Sequence, residues 1–144
     1  MKILVCTDGS EQSQKALEKA SLIASGCNVD EVAIIHVNEE TPLSEAYSKE
    51  AIERQMKLKE EREKEGGKIL QDGLSYFKEK SINARTIYKE GHPAETIVEV
   101  GCGEEFDFIV IGSRGLGGLK KALLGSVSNA VVQQAEGCSV IVVR

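Results

Sequence analysis

Long apolar runs are missing from this sequence, and none approaches the roughly eighteen residues that a membrane-spanning helix needs. The apolar stretch after Met1, in "KILVCTDGS", is too short for a signal peptide, so the chain is expected to be cytoplasmic. Metal-binding patterns are equally scarce. The cysteines, Cys6, Cys27, Cys102 and Cys138, include no C-x-x-C pair, and the two histidines, His36 and His92, are too far apart to complete a zinc set. In a reducing compartment these cysteines are expected as buried or half-buried thiols rather than as two bridges. Positive charge is in deficit, with a net charge of −5 and a pI of about 5.2. The average field therefore repels a nucleic-acid duplex or a polyanionic membrane surface, and any anion must bind locally. Linkers and internal repeats are absent too, so the 144 residues are expected to form one domain, 1–144. At 41% hydrophobic and 28% charged residues, the chain can bury a core without disulfides or a structural metal.

What is present is an alternation of apolar runs and helical patterns. "KILVCT" (2–7) reads as a strand, followed by Asp8-Gly9-Ser10 and then Ala16, Leu17, Ala20, Ile23 and Ala24 at helical spacing. Ser10 or Asp8 is placed to cap that helix, and Gly26 to end it in a left-handed conformation. "EVAIIHVN" (31–38) has the near-continuous apolarity of a strand covered on both faces. From Pro42 to about Lys80 the composition predicts a charged, solvated helix interrupted near Gly66-Gly67. "NARTIYKEG" (83–91) is a third strand. "PAETIVEVG" starts a helix on Pro93, with Ala94, Ile97, Val98 and Gly101 on one face. "DFIVIGS" is the fourth strand and "CSVIVVR" the fifth. Between them Val127, Ala130, Val131 and Gln134 take helical spacing. Strands alternating with helices predict an α/β fold, doubly wound, with a parallel sheet and helices on both faces.

The segment from Val110 to Val132, "VIGSRGLGGLKKALLGSVSNAVV", combines glycines with basic residues in an acidic chain. Gly112 falls at the carboxyl end of the fourth strand, and Gly125-Ser126 at a helix start, giving G-x-x-G-x9-G-S with Gly115. Ligands of open α/β sheets bind outside the carboxyl ends of strands, and a helix N-terminus offers unpaired N–H groups to an anion. Glycines there admit a phosphate close to the backbone. The same glycines also fit plain loop punctuation. Ser126 is placed either to cap its helix or to meet a phosphate oxygen. The segment is neither a Walker loop nor the G-x-G-x-x-G dinucleotide fingerprint.

Together with "VCTDGS", "IIHV" and "GHPAETIVEVG", the glycine pattern resembles the universal stress protein family, in the form associated with its ATP-binding branch. The likeness runs from Ile3 to Val143. It implies five parallel strands in the order 3-2-1-4-5, with Thr7, Asp8 and Gly112 at one switch-point crevice. It implies that Asp8 lies near the ribose or adenine and the Val37 backbone near the adenine edge. The amides of Gly112, Gly115, Gly125 and Val127 and the hydroxyls of Ser126 and Ser128 are then expected to contact phosphates or ribose. Arg114, Lys120 and Lys121 are candidate charge partners for a phosphate, but on a loop facing solvent each reads more readily as solvated. Gly117 and Gly118 loosen the loop. The charged segment 44–64 matches the family's variable region and receives no role. Family members commonly dimerise through the last strand, here Ser139 to Val143, an open edge of the kind that invites pairing.

These readings imply ATP, with Mg²⁺, as cofactor and an unidentified protein as partner. The chain carries no H-x-G-H and no S-G-G-x-D-S signature, which would mark catalytic relatives of this architecture. No catalytic or metal-ligating residue is assigned. His36 is expected as a satisfied strand imidazole and His92 as a loop residue. The leading function is a nucleotide-binding regulatory protein of the stress response. A slow or partner-activated ATPase and a dimeric interaction module without nucleotide are the alternatives.

Overall fold

The computed structural model describes residues 1–39, 48–113 and 124–144. Strands and helices alternate as β1 (Lys2–Cys6), α1 (Glu11–Gly26), β2 (Glu31–Glu39), α2 (Lys49–Glu79), β3 (Ala84–Gly91), α3 (Pro93–Gly103), β4 (Phe108–Gly112), α4 (Ser126–Gln134) and β5 (Ser139–Val143). The strands form one sheet in the order β3-β2-β1-β4-β5, and every neighbouring pair is parallel. This is the α/β architecture and strand order expected from the sequence.

β1 shows why the sheet must be covered twice. Ile3, Leu4 and Val5 are consecutive and all fully buried, yet successive side chains of a strand point to opposite faces. Ile3 and Val5 pack with Ala16, Leu17 and Ala20 of α1 and Leu70 and Phe77 of α2. Leu4 and Cys6 pack with Ile97 and Val100 of α3 and Val131 of α4. Each such aliphatic side chain contributes about 1.5–3 kcal/mol by leaving water. β1 is consequently the spine of both cores.

Three expectations require correction. α2 is not interrupted near Gly66-Gly67 but runs unbroken from Lys49 to Glu79. A Cβ on Gly66 would lie 2.6 Å from Tyr88 Cε2 and 2.9 Å from His36 Cδ2, so this glycine lets the helix settle onto β2 and β3. The buried positions Gly66, Leu70, Gly73 and Phe77 form one stripe confined to the C-terminal half of the helix. Gly26 is the last residue of α1 and has no left-handed φ; the helix closes through the Cys27 N–H, which donates to the Ile23 carbonyl. Finally, Cys102 and Cys138 form a disulfide with a Cα–Cα distance of 5.5 Å, while Cys6 (buried) and Cys27 (exposed) remain thiols. Packing of α3 beside the start of β5 creates that pair across 36 residues of sequence, a separation that residue spacing does not reveal. No helix among the described residues is long and apolar enough to cross a membrane.

Candidate functional site at the β1/β4 switch point

β1 and β4 are neighbours, with Val5 level with Val110. The helices that follow them leave to opposite faces: α1 joins the core containing Val5, and α4 the core containing Leu4. The chain therefore opens a crevice beyond the carboxyl ends of these two strands, the place where open α/β sheets take ligands. Two helix N-termini flank it, those of α1 and α4.

The α1 start is closed by its own side chains. Ser10 is the N-cap, and its hydroxyl accepts from the Ser13 N–H at 3.1 Å. Asp8 Oδ1 accepts from the Ser10 N–H at 2.9 Å, a turn-forming bond that holds the carboxylate at the rim. Thr7 is buried and fully engaged: its hydroxyl pairs with Ser13 Oγ at 3.2 Å and accepts from the Gly9 N–H at 3.3 Å. Its N–H donates to the Ile35 carbonyl at 2.9 Å. Its carbonyl can only accept, so His36 Nδ1 carries the proton in their 2.9 Å bond. His36 is thus the satisfied strand imidazole expected from the sequence, and it pins the end of β1. Next to this turn, burial raises the pKa of the Cys6 thiol far above the ordinary range, with Asp8's charge adding to the effect.

The α4 start carries no side-chain cap. Its N-cap is Gly125, at φ −64° and ψ 159°. As at any helix start, the first N–H groups, here of Ser126, Val127 and Ser128, have no carbonyl one turn back within the helix. The Gly125 N–H donates to the Ser113 carbonyl at 2.7 Å, which returns the helix to the end of β4. Ser126 is exposed. Ser128 is not: it is 2% exposed, and its hydroxyl is placed to donate to the Ser113 and Gly125 carbonyls, each at 3.0 Å. In this structure its hydroxyl proton is directed to the scaffold carbonyls. Val127 packs partly buried against the α3/α4 core.

Gly112 has a structural reason that the sequence did not disclose. A Cβ there would come within 2.7 Å of the Gln12 carbonyl oxygen, in the first turn of α1. The glycine makes room for the first turn of α1. Gln12 itself was not foreseen; its Oε1 is buried without a hydrogen-bond partner among the described residues. Ser113, whose carbonyl receives both Gly125 and Ser128, was missed as well, since a backbone acceptor leaves no signature in residue type. Val37 lies on β2 two residues past Ile35, the last residue of that strand paired with β1, and packs partly buried on the α3/α4 side. His92 is exposed and is the N-cap of α3, after β3, two strands away from β1. Arg114, Gly115, Gly117, Gly118, Lys120 and Lys121 lie outside the described residues. Among the described residues no group of three or more His, Cys, Asp and Glu side chains is arranged to hold a metal ion.

This chain matches the sequence profile described as the Universal stress protein family over residues 1–144. It is 38% identical over 149 residues to Universal stress protein YxiE of Bacillus subtilis, an alignment covering 99% of this chain and 98% of that protein. The solved structure of protein MJ0577, of Methanocaldococcus jannaschii, superposes with a TM-score of 0.78 at 30% identity, covering 99% of this chain and 94% of that one. A universal stress protein family member from Arabidopsis thaliana, solved with AMP bound, shares the fold at a TM-score of 0.66 and 23% identity, covering 99% and 90% of the two chains.

Proposed function

The chain belongs to the universal stress protein family, and from that premise we propose that it is a regulatory protein of the stress response that binds an adenine nucleotide, ATP with Mg²⁺, at the β1/β4 crevice. The observation that carries this reading is the uncapped α4 N-terminus, fastened to the end of β4 through Ser113. A helix start with a glycine at its N-cap, no side-chain capping bond and an exposed serine suits phosphate oxygens, because its first-turn N–H groups and the helix dipole act together. The AMP carried by the Arabidopsis protein of the same fold supports the adenine-nucleotide class.

In this reading the amides of Gly125, Ser126 and Val127 and the Ser126 hydroxyl receive phosphate or ribose oxygens. Gly112, Arg114 and Gly115 line the same approach. The Asp8 carboxylate, steadied by the Ser10 N–H, faces the ribose or adenine, and the Val37 backbone borders the base. Thr7 and Ser128 contribute by holding the two sides of the crevice in place. Mg²⁺ keeps several waters and binds mainly through substrate phosphates, so it arrives with the triphosphate and asks little of this chain. The protein partner reads the liganded state, possible because a ligand shifts a conformational population by its differential affinity. Homodimerisation through the outer edge of β5 belongs to the same proposal; β5 is the edge strand, paired only with β4.

The test is to denature freshly purified protein and identify released nucleotide by chromatography and mass spectrometry, with calorimetric titration of stripped protein by Mg-ATP, ADP and AMP. Retained or titrated ATP is the expected result, and intact ATP after prolonged incubation identifies a binder rather than an ATPase. No released nucleotide and no heat of binding at millimolar ATP would overturn the reading.

A further inference from the structure

We propose that Cys102 and Cys138 form a reversible dithiol–disulfide site, open to small thiols at the end of the sheet opposite the crevice, which clamps the edge strand β5 to α3. The four cysteines differ in what they can do. Cys6 is buried at the end of β1 and held as an unreactive thiol. Cys27 is exposed at the C-cap of α1 and has no disulfide partner. Only Cys102 and Cys138 are both paired and partly accessible. Cys138 also lines an open depression of about 620 Å³ with Met1, Asp107, Phe108, Gly137 and Ser139, at the amino ends of β1, β4 and β5. An incoming thiolate therefore has an open approach to partly exposed Cys138, and access is one of the determinants of exchange rate.

The chemistry closes without any further reactant. A small thiolate attacks Cys138 Sγ, the Cys102–Cys138 bond breaks, and Cys102 leaves as a thiolate. A second thiolate then attacks the outer sulfur of the mixed disulfide, releasing the small disulfide and the Cys138 thiolate, and solvent supplies the protons. Oxidation by a low-molecular-weight disulfide such as oxidised glutathione is the same sequence reversed. The consequence falls on β5. Cys138 directly precedes Ser139, the first residue of a strand that has a neighbour on one side only. Beyond that ladder, the Ser139 N–H donation to the Asp107 carbonyl and the bridge to α3 fix its beginning. Opening the bridge removes the covalent tie and lets the edge strand fray.

The experiment uses the full chain carrying Cys27→Ser, so that the exposed thiol does not interfere. After incubation with oxidised glutathione, denaturation and maleimide-polymer alkylation should label one thiol, Cys6; after native incubation with dithiothreitol, three. Reduction should lower Tm by on the order of 10 °C, as loop-closure entropy predicts for a 36-residue separation. Amide exchange at Ser139–Val143 should quicken by about tenfold or more, with β1 unchanged. Adding Cys102→Ser should give one glutathione adduct on Cys138, and adding Cys138→Ser a slower adduct on Cys102. Three labelled thiols after oxidation, a bridge that resists native reduction, or β5 exchange indifferent to reduction would each overturn the proposal. None of these readouts depends on nucleotide binding.

Discussion

Two helices begin at the same edge of the sheet, on opposite faces, and their beginnings are built in opposite ways. At α1 the chain supplies a side-chain cap: Ser10 accepts from the Ser13 N–H, Asp8 braces Ser10, and Thr7 and Ser13 pair beneath them. At α4 the chain supplies glycine at the N-cap and spends its nearby serine elsewhere, tying Ser128 to the Ser113 and Gly125 carbonyls. Both ends carry the same partial positive charge. A helix start with a side-chain cap has one donor fewer to offer an anion than one that is anchored and has no such cap. In the proposed reading the α1 end serves as scaffold and the α4 end receives the phosphates.

The sharpest way to break this contrast is to give α4 the cap that α1 has. Gly125 already holds the extended N-cap geometry that aspartate favours, so Gly125→Asp should fold with unchanged or slightly higher Tm. Its carboxylate would cap the first-turn N–H groups and repel a phosphate, lowering ATP affinity by about a hundredfold, or ~2.7 kcal/mol, in calorimetric titration. Unchanged affinity would show that α4 is not the phosphate end.

Gly112→Ala should act through packing instead. Its Cβ would meet the Gln12 carbonyl at 2.7 Å, and a backbone atom has no easy retreat. A cost of about 2–3 kcal/mol is expected, read as a loss of roughly 5–10 °C in Tm. A neutral outcome would mean that α1 is not wedged against β4.

Ser128→Ala removes the fastening between α4 and the end of β4. About 1–2 kcal/mol of stability should go, together with a few-fold loss of ATP affinity, because the anchoring carbonyls lose a buried donor. Ser10→Ala should have the smallest effect and complete the contrast: about 1 kcal/mol in denaturant unfolding from the lost cap, with ATP affinity within twofold of the parent. A large affinity loss there would place ligand contacts on α1 and dissolve the distinction.

Much of this was legible in the sequence because it is local. The apolar runs at β1, β2 and β4 announce strands, Ser10 announces a cap, and Pro93 a helix start. The glycines were legible as positions but not as causes. Gly66 reads as a helix break in a charged segment, yet it is where α2 closes onto Tyr88 and His36; Gly112 reads as room for phosphate, yet it also makes room for Gln12. Ser128 reads as a hydroxyl beside a ligand, yet two carbonyls claim it.

Residue order alone was enough for the family, the alternation of strands and helices and the parallel sheet. Those follow from hydrophobic periodicity and turn chemistry, which act within a few residues of each other. Which glycine serves packing, which serine is already bonded, and that Cys102 meets Cys138 emerge only once the helices are docked on the sheet. Such facts depend on the distance between residues remote in the chain, and distance is set by how the helices settle on the sheet.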